Sequence, residues 1–305
     1  MNRSTPVARL RWPALVAAVV AVSACATTST TTPSPTSSPT LSGTTSLSAV
    51  TTTAGGDDAE CLTGDLEFRA EGLTVVGSGA GDGVQISGIR WRSHPGCERV
   101  VVDLLTASGA PASTIGGFSV EMQPERGFIR LAMPPEVTTT GVADVIIDGG
   151  LAQRVFVVRR SDGSLAIDIR AQSPVPVAAR ALVVGGPSRI VVDLRPAGED
   201  SPLVVAPPTI GDRVVVLSPA PGPTEYPLDV SGYARTFEAT VLVQLVSAGR
   251  VAAQVTTTAA DSRDAWGAFQ VTIGSGPGGA LELLVGEASA ADGTFDGVTI
   301  TLEAP

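Results

Sequence analysis

From Cys61 onward, the hydrophobic positions occur in short β-branched runs separated by glycine, proline, aspartate and serine. Each run has four to eight residues, which is the length and composition of a β-strand. No segment of this region shows a sustained apolar period of 3.6 with caps at both ends, so we expect helix to be a minor component. The pattern predicts an all-β fold, with strands at residues 100–104, 144–147, 155–158, 165–169, 189–194, 214–217, 240–246 and 298–302.

Two of these runs share one form, in which an arginine is followed by three apolar residues, an aspartate and a leucine. They cover residues 99–104 and 189–194, and a weaker echo lies at 165–169. Uninterrupted apolar triplets are typical of strands that are buried on both faces of a sandwich. We expect the aspartates of these runs to mark the points where the strands reach solvent; they are Asp103, Asp168 and Asp193.

The composition changes along the chain and divides it into segments. Residues 26–56 carry no charge and consist mostly of threonine, serine and proline, so they have too little to bury to offset the entropy of ordering. A proline-rich connector at 196–208 separates two sets of strands. The predicted organisation is a signal peptide at 1–24, a disordered stalk at 25–58, two tandem β-sandwich domains at 59–200 and 213–305, and a linker at 201–212 between them.

The first 25 residues have the form of an export signal. A basic leader without acidic residues is followed by eleven small or apolar residues at 14–24, too few to span a bilayer, and then by Cys25. Residues 22–25 resemble the lipobox of bacterial lipoproteins, which implies a diacylated Cys25 and a mature chain on the outer face of the cytoplasmic membrane. The alternative is an ordinary secretory signal with an incidental Cys25.

Charge and composition exclude several classes of function. The 20 basic residues are all arginine, and 30 acidic residues leave the chain at −10, which disfavours a nucleic-acid partner. Removal of residues 1–24 takes away three positive charges and leaves −13, so the lipid rather than charge would attach the chain to the membrane. One histidine and three cysteines are too few for a multi-histidine metal site or a Cys₄ cluster, and we expect no cofactor.

The cysteines also predict a cross-link. With Cys25 acylated, Cys61 and Cys97 are the two thiols left, and the compartment outside the membrane permits oxidation. A disulfide between them is the favoured prediction. The alternative is a pair of reduced, buried cysteines.

Candidate catalytic groups are few. A nucleophile triad would have to use His94, which precedes Pro95 in a predicted turn, and the chain has no nucleophile elbow of the Gly-x-Ser-x-Gly type. We therefore expect His94 to be solvated or hydrogen-bonded. Asp103, Asp168 and Asp193 could supply a glycosidase pair, but repetition of a structural motif explains them more simply.

Two loops resemble ligand sites without matching them. The glycine-rich residues 77–83 lack the spacing and the following lysine of a phosphate loop, so we expect a flexible connection. Residues 292–297 together with Glu303 place acidic residues at EF-hand positions, but the residues that follow alternate as a strand and not as a helix. A turn into a final strand is the prediction, and no metal is expected.

The first set of strands carries a family resemblance. Residues 84–196 resemble the AMIN-like domain of actinobacterial envelope proteins, through His94, Pro95, Gly96, Cys97, Glu98, Arg99, Val100 and Val101 and through the closing residues 186–194. The resemblance implies a non-catalytic β-sandwich that places envelope proteins against peptidoglycan or other wall components. Cys97 and Glu98 stand where the family has an aromatic residue and an aspartate, so no binding surface is carried over.

The second set resembles another family. A Ser-Pro start at 218–219, a Val-Ser-Gly-Tyr-Ala strand at 230–234, a Phe-Glu pair at 237–238 and a Trp-Gly-x-Phe element at 266–269 occur in order. Residues 213–305 thereby resemble Gmad2, the immunoglobulin-like domain of bacterial spore germination, which implies no catalytic residue and does not by itself imply sporulation. We expect core positions for its large aromatic residues, Phe237, Trp266 and Phe269, with a surface platform for sugars as the alternative, and an ion pair between Arg235 and Glu238.

Together these features predict a non-enzymatic envelope lipoprotein that binds a wall component or an envelope protein. The alternatives are an accessory cell-wall hydrolase and a solute-binding lipoprotein. The acidic surface disfavours polyanionic wall polymers unless local arginines such as Arg159 and Arg160 overcome the repulsion. Peptidoglycan or a partner protein is the favoured ligand.

Overall fold

The computed structural model describes residues 61, 67–172, 175–198, 201, 204–289 and 293–305. The predicted signal peptide, the lipidation site at Cys25 and the stalk lie outside these residues. Within the described part, the chain forms strands β1 to β20, two short 3₁₀ turns at Pro124–Arg126 and Phe237–Ala239, and no α-helix. The all-β fold predicted from the hydrophobic pattern is thereby confirmed.

The strands form three sheets. The first has the order β10 (Val177–Val184), β11 (Arg189–Pro196), β3 (Cys97–Leu105), β2 (Gln85–His94) and β6 (Thr138–Thr139). The second has the order β1 (Gly72–Val76), β4 (Phe118–Gln123), β5 (Phe128–Ala132), β9 (Leu165–Ala171), β8 (Ala152–Arg159), β18 (Trp266–Ile273), β15 (Leu228–Ala234), β13 (Val214–Ser218) and β12 (Thr209–Ile210), with β7 (Asp144–Ile146) paired to β8. The third has the order β14 (Gly222–Pro223), β20 (Phe295–Ala304), β19 (Gly279–Ala288), β16 (Thr240–Ser247) and β17 (Arg250–Thr258).

The repeated arginine–aspartate pattern is explained by the pairing of β3 with β11. The two strands run antiparallel, and their register sets Arg99 opposite Asp193 and Arg189 opposite Asp103. Because arginine and aspartate are four residues apart in each run, both lie on the same face of their strand. The pattern is therefore complementary to itself when two copies pair in antiparallel register.

The prediction that the aspartates mark the exit to solvent was wrong for two of them. Asp168 and Asp193 are fully buried. Asp193 accepts hydrogen bonds from Arg99 Nε at 2.6 Å and from Arg180 Nε at 3.2 Å, and Asp168 accepts one from Arg130 Nε at 2.8 Å. Burying a charged carboxylate is unfavourable unless cationic side chains donate hydrogen bonds to its oxygens. The arginines do so here.

The first sandwich packs the first sheet against β4, β5, β9 and β8 of the second sheet. The second sandwich packs the third sheet against β18, β15, β13 and β12 of the second sheet. Its strands alternate buried and exposed positions, as expected when one face of a sheet meets the core and the other meets water. In β20, for example, Val298, Ile300 and Leu302 are buried while Thr299 and Thr301 are exposed.

The second sheet runs without interruption from one sandwich into the other. β8 of the first sandwich pairs in parallel with β18 of the second, Val158 opposite Trp266 and Arg159 opposite Gly267. In addition, the segment 201–212, predicted as a linker, contributes the short strand β12. The chain therefore joins its two sandwiches through a shared sheet as well as through the connecting segment.

Aromatic side chains from both sandwiches fill the junction. The Phe156 ring meets Trp266 edge-on at 5.3 Å and lies 6.4 Å from Phe128 and 6.2 Å from Tyr233. Two of these four residues come from the first sandwich and two from the second, and all are buried. Aromatic pairs in such arrangements contribute about 0.5–1.5 kcal/mol beyond the burial of their area.

A disulfide joins Cys61 to Cys97, which confirms the predicted pairing. The two sulfurs are buried, the Cα atoms are 6.3 Å apart, and 36 positions separate the residues in sequence. Arg180 Nη2 also donates to the Cys61 carbonyl at 2.7 Å. In the entropic model, closing a loop of this length stabilises the fold by about 3 to 4 kcal/mol.

The glycine-rich loop at 77–83 is attached to a neighbouring segment, in contrast to the flexible connection that its sequence indicates. The Asp82 carboxylate accepts hydrogen bonds from the Ser113 hydroxyl at 2.5 Å and from the Thr114 amide at 2.7 Å. The hydroxyl of Ser113, followed by the amide of Thr114, lowers the pKa of Asp82 to about 2. The loop therefore contributes a carboxylate that the neighbouring segment binds, which is the opposite of a loop whose amides bind a phosphate.

Substitution of Phe156 by alanine should destabilise both sandwiches together. The ring is fully buried between residues of the two units, so we expect the free energy of unfolding to fall by about 3 to 5 kcal/mol. Urea unfolding measures this loss. Phe237→Ala removes an equally large but exposed ring and is the matched control; equal losses in the two variants would contradict the shared core.

Substitution of Asp82 by alanine should destabilise the fold in a pH-dependent way. Since the pKa in the folded state, about 2, lies below the ordinary 3.8, the charged form favours folding, and the contribution is complete above pH 3.8 and lost as pH falls toward 2. The variant should unfold at lower urea than the wild type at pH 7, with the gap closing near pH 2. Glu136→Ala removes another exposed carboxylate and should leave the midpoint unchanged; a gap for Asp82→Ala that is the same at both pH values would contradict the account.

Candidate functional site

One cavity of the described residues lies where the two sandwiches meet. We call it the junction pocket, and its volume is about 980 Å³. The first sandwich contributes two lining residues from β7 and β8, and the second contributes the rest from the ends of β13, β15 and β18. The lining residues are Asp144, Arg154, Asp212, Arg213, Arg235, Thr236, Phe237, Glu238, Ser262, Arg263 and Trp266.

The register of β15 with β18 places the inner wall of the junction pocket. Ala234, the last residue of β15, pairs with Gly267, so the chain leaves β15 at Arg235 beside the first residue of β18, Trp266. The guanidinium of Arg154 lies 5.1 Å from the Trp266 ring. The shared sheet therefore brings an arginine of the first sandwich to an indole of the second.

Three buried polar atoms at the junction pocket have no hydrogen-bond partner among the described residues. They are Trp266 Nε1, Thr236 Oγ1 and Arg235 Nε. The residues Trp266 and Thr236 are only 1% and 2% exposed. A buried donor left without a partner costs about 1–3 kcal/mol, so native proteins rarely place several together. Since these atoms have almost no accessible surface, a molecule in the pocket would reach them only after the surrounding side chains moved.

The turn between β15 and β16 forms the outer wall. Glu238 and Ala239 both adopt the left-handed conformation, with φ of 53° and 59°. The Phe237 amide donates to Glu287 Oε2 at 2.6 Å, and Arg213 Nη1 donates to Glu287 Oε1 at 2.8 Å. Left-handed backbone at residues other than glycine is strained by roughly 1–2 kcal/mol each and is typical of functional sites.

The predicted core role of the large aromatic residues holds for two of the three. Trp266 and Phe269 are buried, whereas Phe237 is 72% exposed, so its placement in the core was wrong. The left-handed residues that follow Phe237 interrupt the strand alternation, and the ring is left at the rim of the junction pocket. The predicted ion pair of Arg235 with Glu238 is also wrong: Arg235 Nη1 lies 3.7 Å from Asp144.

The junction pocket is lined by charged side chains of both signs. Its lining holds four arginines against three carboxylates, while the whole chain carries −10. Some of these charges are paired, since Arg154 Nη2 donates to Asp144 at 2.6 Å and Arg213 pairs with Glu287. Arg263 is exposed, and no ion pair of its guanidinium is found within the described part of the chain.

The carboxylates considered for glycosidase chemistry have structural roles. The Tyr233 hydroxyl donates to Asp168, as does Arg130, so this carboxylate links β9 to β15 across the junction. Burial, then the Asp168 charge, raises the pKa of Tyr233 well above its usual value, so the phenol keeps its proton. Asp193 is enclosed by Arg99 and Arg180, as described above, and Asp103 is bound by Arg90 Nε at 2.7 Å.

His94 ends β2, and Pro95 and Gly96 form the tight turn to β3, with φ of +78° at Gly96. Its Nε2 is buried without a hydrogen-bond partner among the described residues, while the residue as a whole is only partly buried, so a solvated or hydrogen-bonded ring stays a prediction. The half-buried position in the hairpin shields this nitrogen from water.

The arginines proposed to attract polyanions are also paired. Arg159 Nε donates to Asp261 at 2.9 Å, a contact that crosses between the sandwiches, and Arg160 lies 3.9 Å from Asp162. These contacts neutralise the patch that the sequence indicates.

Sequence reasoning missed the role of Glu98. Its buried carboxylate accepts hydrogen bonds from the backbone amides of Gly150, Leu151 and Ala152 at 2.6, 3.1 and 2.9 Å. A charged residue just before a buried triplet, with a Gly-Gly pair elsewhere in the chain, is the available sequence signal, but it does not identify the partner.

The loop with EF-hand spacing is only partly within the described residues. Asp292 lies outside them, while the residues that follow form β20, which pairs with β19 along its length and sets Gly297 opposite Gly286. This confirms the predicted final strand. Among the described residues, no group of three or more potential protein ligands is positioned to hold a metal ion, and no helix is long and apolar enough to cross a membrane.

Comparison with known proteins identifies one part of the chain. No curated protein and no solved structure matches it. Residues 213–294 match a protein-family model, which begins at the lining residue Arg213 and includes Arg235, Phe237 and Trp266. The family that this segment is similar to is Gmad2, the immunoglobulin-like domain of bacterial spore germination.

Proposed function

We propose that this chain is a non-enzymatic binding module of the bacterial cell envelope, which attaches a wall component to the membrane surface. The junction pocket carries this proposal, because it combines charged side chains from both sandwiches with an exposed aromatic ring at its rim. Such a combination suits recognition of a polar ligand. The acidic residues considered for hydrolysis, Asp168 and Asp193, are instead held in buried ion pairs.

The N-terminal segment and the two family resemblances support this role. A diacylated Cys25 would hold the protein on the outer face of the cytoplasmic membrane, and two acyl chains suffice for stable attachment. The stalk, residues 25–58, which carries no charge from 26 to 56, would let the folded part reach the wall. The resemblance of residues 84–196 to AMIN-like domains supports a wall component as ligand, and the Gmad2 match supports a bacterial source.

A direct test incubates the purified full chain with isolated bacterial cell walls and measures both the retained protein and the released sugars or muropeptides. We expect retention without release, because no nucleophile–base arrangement was found among the described side chains. Sustained release that disappears in His94→Ala would establish the hydrolase alternative. Absence of retention on walls would contradict the binding role.

The anchor has a separate test. Cys25→Ala removes the only thiol of the lipobox, so metabolic labelling with a radioactive fatty acid should fall to background, and the protein should leave the membrane fraction or accumulate as the precursor. Cys61→Ala, made in parallel, should keep its label. Unchanged labelling of Cys25→Ala would contradict the lipoprotein assignment.

A further inference from the structure

We propose that strand β1 pairs with β1 of a second copy of this chain, antiparallel and centred on Thr74, and thereby joins two copies into a two-fold dimer. This interaction surface lies outside the junction pocket and does not depend on the ligand of that pocket. The inference rests on the open edge of β1, on the side chains that this edge presents, and on the charges around it.

The edge of β1 differs from the other sheet ends among the described residues. Three of the ends are strands of only two residues, β6, β12 and β14, which offer little backbone for pairing. At the end strand β10, Ala179 exchanges backbone hydrogen bonds with Arg69. At the end strand β17, the Thr257 hydroxyl donates to the Gln270 carbonyl of β18 at 3.3 Å. By contrast, β1 has five residues, and β4 is its one strand partner within the described part of the chain.

The side chains of β1 also suit pairing. Residues 72–76 contain neither a charge nor a proline, which are two of the features by which natural edge strands avoid pairing with other chains. Leu73 and Val75 lie on one face of the strand and are 60% and 70% exposed. Single exposed apolar residues are common, but two of them on an open and uncharged edge are typical of a strand that pairs with another chain.

A second copy of β1 is a complementary partner. Antiparallel pairing of two identical strands is two-fold symmetric and forms a closed contact. In the register centred on Thr74, Leu73 of each copy lies opposite Val75 of the other, so the exposed apolar side chains bury one another. Positions that face each other differ by an even number of residues. The N–H and C=O groups that point outward from one copy therefore meet those that point outward from the other.

The opposite face of β1 gives an independent reason. Thr74 and Val76 line a groove of about 150 Å³ together with Val120 and Met122 of β4, and the groove wall is mainly apolar. A strand added to β1 places its own Thr74 and Val76 on the same side of the sheet, beside this groove. The added strand thereby removes apolar surface from water on both of its faces.

The charges around β1 permit this partner, although each chain carries −10. In the register centred on Thr74, Glu71 lies opposite the uncharged Gly77 of the other copy. The two Glu71 residues are then six positions, roughly 20 Å, apart along the strands, which exceeds the Debye length of about 8–10 Å at physiological salt. Glu121 of β4 lies opposite Leu73, so both β1 strands separate it from its copy.

Sedimentation velocity of the purified full chain, in detergent with micelles in large excess, tests the dimer. Wild type should show a concentration-dependent equilibrium between monomer and dimer. Leu73→Lys places one charge in each half of the contact and should weaken dimerisation by about tenfold or more. Because Leu73 is exposed and lies opposite Glu121, the lysine has a partner in its own chain and the unfolding midpoint should stay unchanged. Val251→Lys, at a 53% exposed position of β17, is the matched control and should leave dimerisation unchanged.

Cross-linking tests the register. Residues directly opposite each other have Cα atoms about 4.5–5.5 Å apart, within the span of a disulfide, whereas residues displaced by two positions are roughly 7–8 Å apart. Thr74→Cys should therefore form a disulfide-linked dimer on mild oxidation, and Leu73→Cys should cross-link at least about tenfold less. Wild type, which keeps Cys25, measures the background.

The proposal is overturned if wild type stays monomeric at every concentration tested. It is equally overturned if Leu73→Lys dimerises as well as wild type, or if Thr74→Cys and Leu73→Cys cross-link to the same extent. Loss of the dimer in Val251→Lys, with an intact dimer in Leu73→Lys, would place the contact at β17 instead.

Discussion

The pairing of β8 with β18 is the constraint on which the rest of the structure depends. Only two residue pairs join these strands, Val158 with Trp266 and Arg159 with Gly267, yet they turn two sandwiches into neighbours in one sheet. Two-residue pairing would be weak alone. The aromatic cluster around Phe156 supports it, because burying such large rings contributes favourable free energy at the junction.

A polar link fixes the same junction. Asp168 of the first sandwich receives hydrogen bonds from Arg130 of its own sheet and from Tyr233 of the second sandwich. Buried ion pairs add little net stability, but leaving one member without its partner is costly, so they disfavour alternative arrangements of the two units. The junction pocket depends on this arrangement, because the shared sheet places Asp144 and Arg154 in the same pocket lining as Trp266.

The strands could be predicted from the sequence because β-branched runs and their alternation depend on local burial, which the chain itself records. The burial of Asp168 and Asp193 could not be predicted. Whether a carboxylate contacts solvent or an arginine depends on the register of strands that are distant in sequence. The predicted core position of Phe237 was wrong for another reason. Its motif resembles a core element, but the left-handed turn that follows is unusual for Glu238 and Ala239 and has no sequence signature.

The candidate site was equally hidden, because its walls come from residues 144–154, 212–238 and 262–266, which no single motif connects. The central claim is that the sandwiches form one body, and ¹⁵N relaxation of the full chain tests it most directly. One rotational diffusion tensor should fit the amides of β5 and β9 together with those of β15 and β19. Separate correlation times for the two groups would contradict the shared sheet and, with it, the junction pocket.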